Sequence, residues 1–234
     1  MIDTILFDLD DTLLDFTGNE QVALSDTLLH FGIADTRKNI ERYIERYIEI
    51  NRTCWQRLER GEWTRDEVLV GRFRELYSAL GIDGDPIETQ RYYENRLSME
   101  GSYIDGAVEL LSALRGKYRL YAVTNGTSKV QSGRIAITGV DKLLDGIFIS
   151  EHIGHDKPQT EYFDAVFGII GGKRENAIII GDSLTSDIRG GINAGIRTVY
   201  YNPKKLSNKT GIIPDYEIGT LGELLCLLEK IQEE

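Results

Sequence analysis

The amino-acid sequence predicts an α/β protein in which a parallel sheet carries helices on both faces and an all-α block is inserted after the first strand. Three observations predict it. Five short apolar runs are spread along the 234 residues. Helical patterns alternate with them, and the gap between the first run and the second exceeds a hundred residues.

The runs at 4–7, 120–123, 146–149, 177–180 and 198–201 are near-continuously hydrophobic rather than alternating, as strands buried on both faces should be. Asp105 precedes Ala107, Val108, Leu110, Leu111 and Leu114, so a helix is expected there with Asp105 as its N-cap and Gly116 near its end. Further helices fit 127–137, 159–168, 186–194 and 221–231. Strand, helix and strand in this order imply right-handed crossovers and a Rossmann-like parallel sheet. The first crossover is far longer than a βα unit, and residues 16–91 hold no good strand candidate. The predicted division is therefore an α/β core of 1–15 and 92–234 and a helical domain of 16–91, with linkers near 15–18 and 91–101. Most aromatic residues of the helical block are expected to form its own core. Tyr47, Trp55 and Trp63 also have flat faces suited to stacking on a nucleobase.

The formal net charge of −11 speaks against a nucleic-acid polymer as partner, because such binders cluster Lys and Arg to release counterions. A small anionic ligand stays compatible, since one bound cation and one lysine reverse the field locally. Cys54 and Cys226 form no CxxC pair and are expected as reduced, buried thiols. The chain opens Met1-Ile2-Asp3, without the basic start of a secretory leader, and no apolar run approaches the ~20 residues of a membrane span. A cytoplasmic protein with no membrane partner is expected.

Four polar groups fall at strand ends, where open α/β sheets collect their ligands. The first run leads into Asp8-Leu9-Asp10-Asp11-Thr12 and the second into Thr124-Asn125-Gly126. His155-Asp156-Lys157-Pro158 follows the third, and the fourth leads into Gly181-Asp182-Ser183 and on to Asp187. Singly each reads as an acidic loop, a turn, a surface lysine or a helix cap; together they place several carboxylates at one edge facing a lysine. Like charges so arranged need a cation. With oxygen donors and no His or Cys cluster the ion should be hard, and Mg²⁺ fits best.

These four segments, with Phe7 before and Leu13 after the first acidic cluster, resemble the signature of the haloacid dehalogenase superfamily of phosphatases, and the helical insert looks like that family's cap of the first class. The run from Gly181 to Ile196 is similar to the pyrimidine 5′-nucleotidase subgroup and also resembles N-acylneuraminate-9-phosphatases. The resemblance implies a phosphohydrolase that acts on a small phosphorylated metabolite, with a nucleoside 5′-monophosphate or a sugar or sialic-acid phosphate as substrate. It implies that Asp8 is the nucleophile and forms an aspartyl-phosphate, and that Asp10 is general acid and then general base. It assigns Thr124, Asn125 and Gly126 to the phosphoryl oxygens and Lys157 to charge neutralisation. The implied metal ligands are Asp8, the Asp10 carbonyl and Asp182, with Asp187 behind them.

Asp11 is expected as a solvated loop acid, and Thr12 as a residue that holds the loop. Gly190, Gly191 and Gly195 are expected to permit helix–sheet packing, and of the three histidines only His155 stands near the lysine. A 2-haloacid dehalogenase would share Asp8, but it needs no metal and has no use for an acid two residues on; Asp10 and Asp182 favour phosphate. A phosphoacceptor receiver would carry its aspartate on a middle strand of a chain about half as long, and a catalytically dead relative would lack one of the four acidic or basic groups.

Overall fold

In the computed structural model, which describes residues 1–233, Thr4–Phe7 forms β1 at the centre of a six-stranded, wholly parallel sheet. The partners are β2 (Arg119–Thr124), β3 (Gly146–Ile149), β4 (Ala177–Gly181), β5 (Arg197–Tyr201) and β6 (Tyr216–Ile218), in the order β3-β2-β1-β4-β5-β6. Successive side chains of a strand point to opposite faces, so β1 supplies both halves of the core. Ile5 and Phe7 pack with Leu110, Leu111 and Leu114 of α5 (Ala107–Leu114) and with Leu224, Leu228 and Ile231 of α10 (Glu223–Glu233). Leu6 faces the other way, toward Tyr162, Phe163 and Val166 of α8 (Thr160–Ile170) and Ala194 of α9 (Arg189–Ala194). With both faces covered, every residue of β1 and β4 is buried, which is why these strands read as unbroken apolar runs.

Several boundaries differ from the sequence reading. Asp105 is not the cap of α5: the helix starts after Gly106, which takes φ 82° and offers no side chain. The expected helix at 186–194 is two pieces, a π-helical turn at Leu184–Ile188 followed by α9. Strand β6 escaped notice because three residues at a partly exposed edge leave almost no pattern. Cys54 is buried as expected, but Cys226 is exposed, and both thiols are free.

The chain divides into two compact units, Met1–Phe16 with Gly101–Glu234, and Thr17–Glu100. The expected boundary at 92 therefore falls inside a helix, α4 (Pro86–Leu97), whose Tyr93 and Leu97 are buried. The other helices there are α1 (Phe16–His30), α2 (Arg37–Glu59) and α3 (Arg65–Leu80). Pro86 at the first helical position and the Asp85 cap start α4. Tyr47, Phe73 and Tyr93 meet ring to ring at 5.1–5.7 Å around the buried Arg72 guanidinium, which hydrogen-bonds Asn51 and Gln90. Tyr47 is thus a core residue of this unit rather than a platform for a base, and Trp63 lies under the guanidinium of Arg57. No helix among the described residues is long and apolar enough to cross a membrane.

Candidate active site

The strand order reverses between β1 and β4, and chains leaving two such strands diverge to open a crevice beyond their carboxyl ends. Asp8 leaves β1 there and Asp182 leaves β4. Phe7 is in register with Ile180, and the Asp8 N–H donates to the Ile180 carbonyl at 2.8 Å, so the pairing of two strands brings two carboxylates together. Asp187 completes the group: one carboxylate oxygen from each of Asp8, Asp182 and Asp187 lies within 4.8 Å of the others.

Lys157, in the loop between α7 (Ser150–Ile153) and α8, is almost wholly buried and sits between these acids. Its Nζ donates to Asp8 Oδ1 at 2.6 Å, to Asp187 Oδ1 at 2.6 Å and to the Val123 carbonyl at 2.8 Å. All three ammonium N–H groups are thereby used. Burial alone would lower the pKa of Lys157, but the Asp187 and Asp8 carboxylates outweigh it and hold the ammonium above the ordinary lysine range. Burial pushes Asp8 well above the usual carboxylate range; Lys157 pulls it back, and Asp187 and Asp10 raise it further. Asp182 is raised for the same reason, burial first and then the charges of Asp8 and Asp187.

Three carboxylates against one ammonium leave two negative charges, which one divalent cation balances. The donors are all carboxylate oxygens, so a hard ion such as Mg²⁺ suits the set. Asp187 is the most committed of the three, since its Oδ1 accepts from Lys157 and its Oδ2 accepts the Ser183 N–H at 3.1 Å. The π-helical turn that carries it is a local geometry often met at functional sites. Gly181 makes room: a Cβ there would stand 2.2 Å from Asp187 Cγ.

The Thr124-Asn125-Gly126 segment is more occupied with its own neighbours than the sequence reading expects. The Asn125 side chain clamps the Lys157 backbone from both sides, Nδ2 donating to the Lys157 carbonyl at 2.8 Å and Oδ1 accepting the Lys157 N–H at 2.9 Å. Thr124 Oγ1 accepts the Gly126 N–H at 3.0 Å and Gln131 Nε2 at 2.9 Å. A Cβ on Gly126 would lie 2.1 Å from that same Gln131 nitrogen. Thr124 is buried, its hydroxyl at the end of β2 beside β1.

Asp10 stands in the loop after β1. Gln131 Nε2 donates to its Oδ2 at 2.7 Å and Arg134 Nη1 to its Oδ1 at 2.8 Å, both from α6 (Ser128–Thr138). Burial raises the Asp10 pKa and Arg134 opposes the rise. Sequence reading overlooked Gln131 and Arg134. The available signal was their spacing: residues three apart share a helix face, and this face points inward. Of the remaining positions, Asp11 takes a left-handed conformation (φ 57°), half-buried, and its N–H donates to the Leu14 carbonyl at 2.8 Å. Thr12 is buried with no partner for its hydroxyl. His155 is exposed and faces Gln159 at 3.3 Å. Gly190 and Gly191 are packing positions: a Cβ would meet Phe163 at 2.8 Å in the first case, Ile179 and Thr198 at 2.6 Å in the second.

Comparison with known proteins shows the family. The profile of the haloacid dehalogenase-like hydrolases matches residues 2–195. The chain is 39% identical over 228 residues to the pyrimidine 5′-nucleotidase PynA of Streptococcus pneumoniae, covering 97% of this chain and 94% of that protein. It is 31% identical over 229 residues to the pyrimidine 5′-nucleotidase YjjG of Escherichia coli, covering 97% and 98%. Among solved structures, the magnesium-bound crystal structure of the HAD-hydrolase YfnB from Bacillus subtilis superposes with a TM-score of 0.90 at 40% identity, covering 97% of this chain and 98% of that one.

Proposed function

The chain belongs to the haloacid dehalogenase-like hydrolases, and from that premise we propose that it is a magnesium-dependent phosphohydrolase of small phosphate monoesters, nucleoside 5′-monophosphates with a pyrimidine base first among them. The observation that carries the reading is the buried Lys157 ammonium shared by Asp8 and Asp187, with Asp182 alongside.

Lys157 holds Asp8 Oδ1 and so fixes the rotation of the carboxylate, leaving its other oxygen to attack phosphorus. The bond from phosphorus to the ester oxygen breaks as the Asp8–phosphorus bond forms, and the carboxylate becomes an aspartyl-phosphate. Asp10 gives its proton to the departing alkoxide. It then takes one from the water that attacks the aspartyl-phosphate and returns Asp8 as a carboxylate. The Thr124 hydroxyl and the backbone of Asn125 and Gly126 face the phosphoryl oxygens. Lys157 offsets the charge that gathers as the phosphoryl group reaches Asp8. Asp8, Asp182 and the Asp10 carbonyl are the groups that would hold Mg²⁺, with Asp187 orienting them; the ion supplies charge neutralisation for the phosphoryl oxygens.

Two measurements test this. Removal of divalent ions with EDTA should lower phosphate release by on the order of 10²-fold or more, and Mg²⁺ should restore it; a rate indifferent to chelation would point to carbon chemistry of the dehalogenase kind. A phosphate-release panel should rank UMP, dUMP and dTMP above sugar phosphates by about tenfold or more in kcat/KM. Support for the nucleotide preference comes from the two relatives named as pyrimidine 5′-nucleotidases, and a panel led by sugar or sialic-acid phosphates would reassign the substrate without touching the chemistry.

A further inference from the structure

A proton donor works only if its carboxylate is held in a productive rotamer, to within roughly half an ångström and 10–20°. Asp10 lies in the loop after β1, where a bridge to Leu14 holds its backbone, but backbone pairing does not by itself select a side-chain rotamer. Helix α6 makes that selection. Each carboxylate oxygen receives one donor, Oδ2 from Gln131 and Oδ1 from Arg134. Both donors are fully buried, so neither exchanges with water to release the acid. We propose that Gln131 and Arg134 are positioning residues for the acid–base step: they fix the Asp10 carboxylate, and Gln131 ties it to the phosphate-facing Thr124. This rests on the phosphohydrolase reading of Asp10.

Two features set the pair apart from ordinary core polar residues. A buried arginine kept for stability would be expected to satisfy its five N–H donors. The Nε and Nη2 of Arg134 have no hydrogen-bond partner, and its ion pair is to Asp10. Its remaining neighbour of note is the Phe16 ring, 5.3 Å from the guanidinium carbon. The cost of burying this group is thus accepted for a contact to one carboxylate. The second feature is Gly126. Its missing Cβ leaves space for the Gln131 amide, which reaches Asp10 and Thr124 from a single nitrogen, at 2.7 and 2.9 Å. The φ of Gly126 is not in the left-handed region, so an alanine there is acceptable to the backbone and objectionable only to Gln131.

The test is a double-mutant cycle in the full-length chain, assayed for phosphate release from UMP or from whichever alkyl phosphate of the panel turns over fastest. Arg134→Met should lower kcat by about 10²-fold with KM changed less than about threefold, the loss typical of a misplaced acid–base group. Arg134→Lys should recover about tenfold, because a lysine replaces the one N–H that Asp10 uses. In an Asp10→Asn background the same Arg134→Met change should cost less than about twofold, since there is no acid left to place. Gln131→Leu carries the same cycle if Arg134→Met does not fold, and Gly126→Ala should mimic it. A purely structural role would lower activity equally in both backgrounds, and that result, or a change confined to KM, or a lysine no better than methionine, would overturn the proposal. A wild-type protein inert on every phosphate ester would instead overturn the phosphohydrolase reading, before any variant is compared.

Discussion

Asp8→Asn should abolish turnover, by on the order of 10⁴-fold or more in kcat, while the protein stays folded. Asparagine keeps the shape of the side chain and an oxygen for Lys157 to donate to, but it has no carboxylate oxygen with which to attack phosphorus. The fold should not suffer. Burial already raises the Asp8 pKa well above the usual range, which means that the ionised form is disfavoured where it sits, and the amide removes that penalty. Acid-quenched wild-type reactions analysed by mass spectrometry should carry a phosphoryl group on Asp8, and the variant should carry none. Undiminished phosphate release by Asp8→Asn would exclude covalent catalysis at this position.

The second large effect is expected of Lys157→Met. The ammonium is the only counter-charge in hydrogen-bonding contact with Asp8 and Asp187 among the described residues, and methionine fills similar volume without charge. Breaking a buried ion pair from one side costs about 3–5 kcal/mol, because the stranded carboxylates stay buried. Denaturant unfolding of the metal-free protein measures this. The sign with pH follows from the raised Lys157 pKa: its contribution is fully present below the unfolded lysine pKa and fades only as pH rises through the folded value. The lysine's own titration should therefore leave its contribution undiminished at pH 6 and at pH 8 alike, and any loss on acidification should come from protonation of Asp8, whose pKa burial raises. Turnover should fall by about 10²–10³-fold as well, the loss usual for one electrostatic donor at a site of developing charge. Adding Asp187→Asn should return part of the stability, because it removes one of the stranded charges, and none of the activity. A Lys157→Met protein as stable and as active as wild type would remove the ammonium from the site altogether.

How legible the site was depended on how each residue is held. Asp8 and Asp182 stand at the ends of strands that are buried on both faces, and Thr124 ends a strand whose last three residues are buried, so once the apolar runs are recognised their placement follows from parallel topology. Lys157 was legible for the same reason, one loop beyond the third run. Asp187 was foreseen as a helical residue; it occupies a π-helical turn, and no spacing of Leu184-Thr185-Ser186-Asp187-Ile188 distinguishes that turn from an α-helix. The backbone of Asn125 is the part that the sequence assigns to phosphate; the task of its side chain, which spends both polar atoms on the backbone of Lys157, thirty-two residues away, is not legible there. Gln131 and Arg134 were passed over because a polar residue on a helix is normally solvated, and nothing local says that this face is turned inward. The extent of the helical unit was misjudged at α4, where the packing of Tyr93 against Tyr47 and Phe73 joins a fourth helix to three others.

What the sequence determined by itself is therefore whatever repeats locally: the apolar strands, the order in which they recur, the insertion after the first, and the residue types stationed at their ends. What the tertiary structure alone decided is which long-range partner each polar group takes, with Lys157 between Asp8 and Asp187, Asn125 on the Lys157 backbone, and Gln131 and Arg134 on Asp10. The reason is physical. Periodicity is written by burial against water, which every residue senses in its own segment. A buried hydrogen bond or ion pair is chosen by distance and direction across segments that come together only when the sheet is assembled.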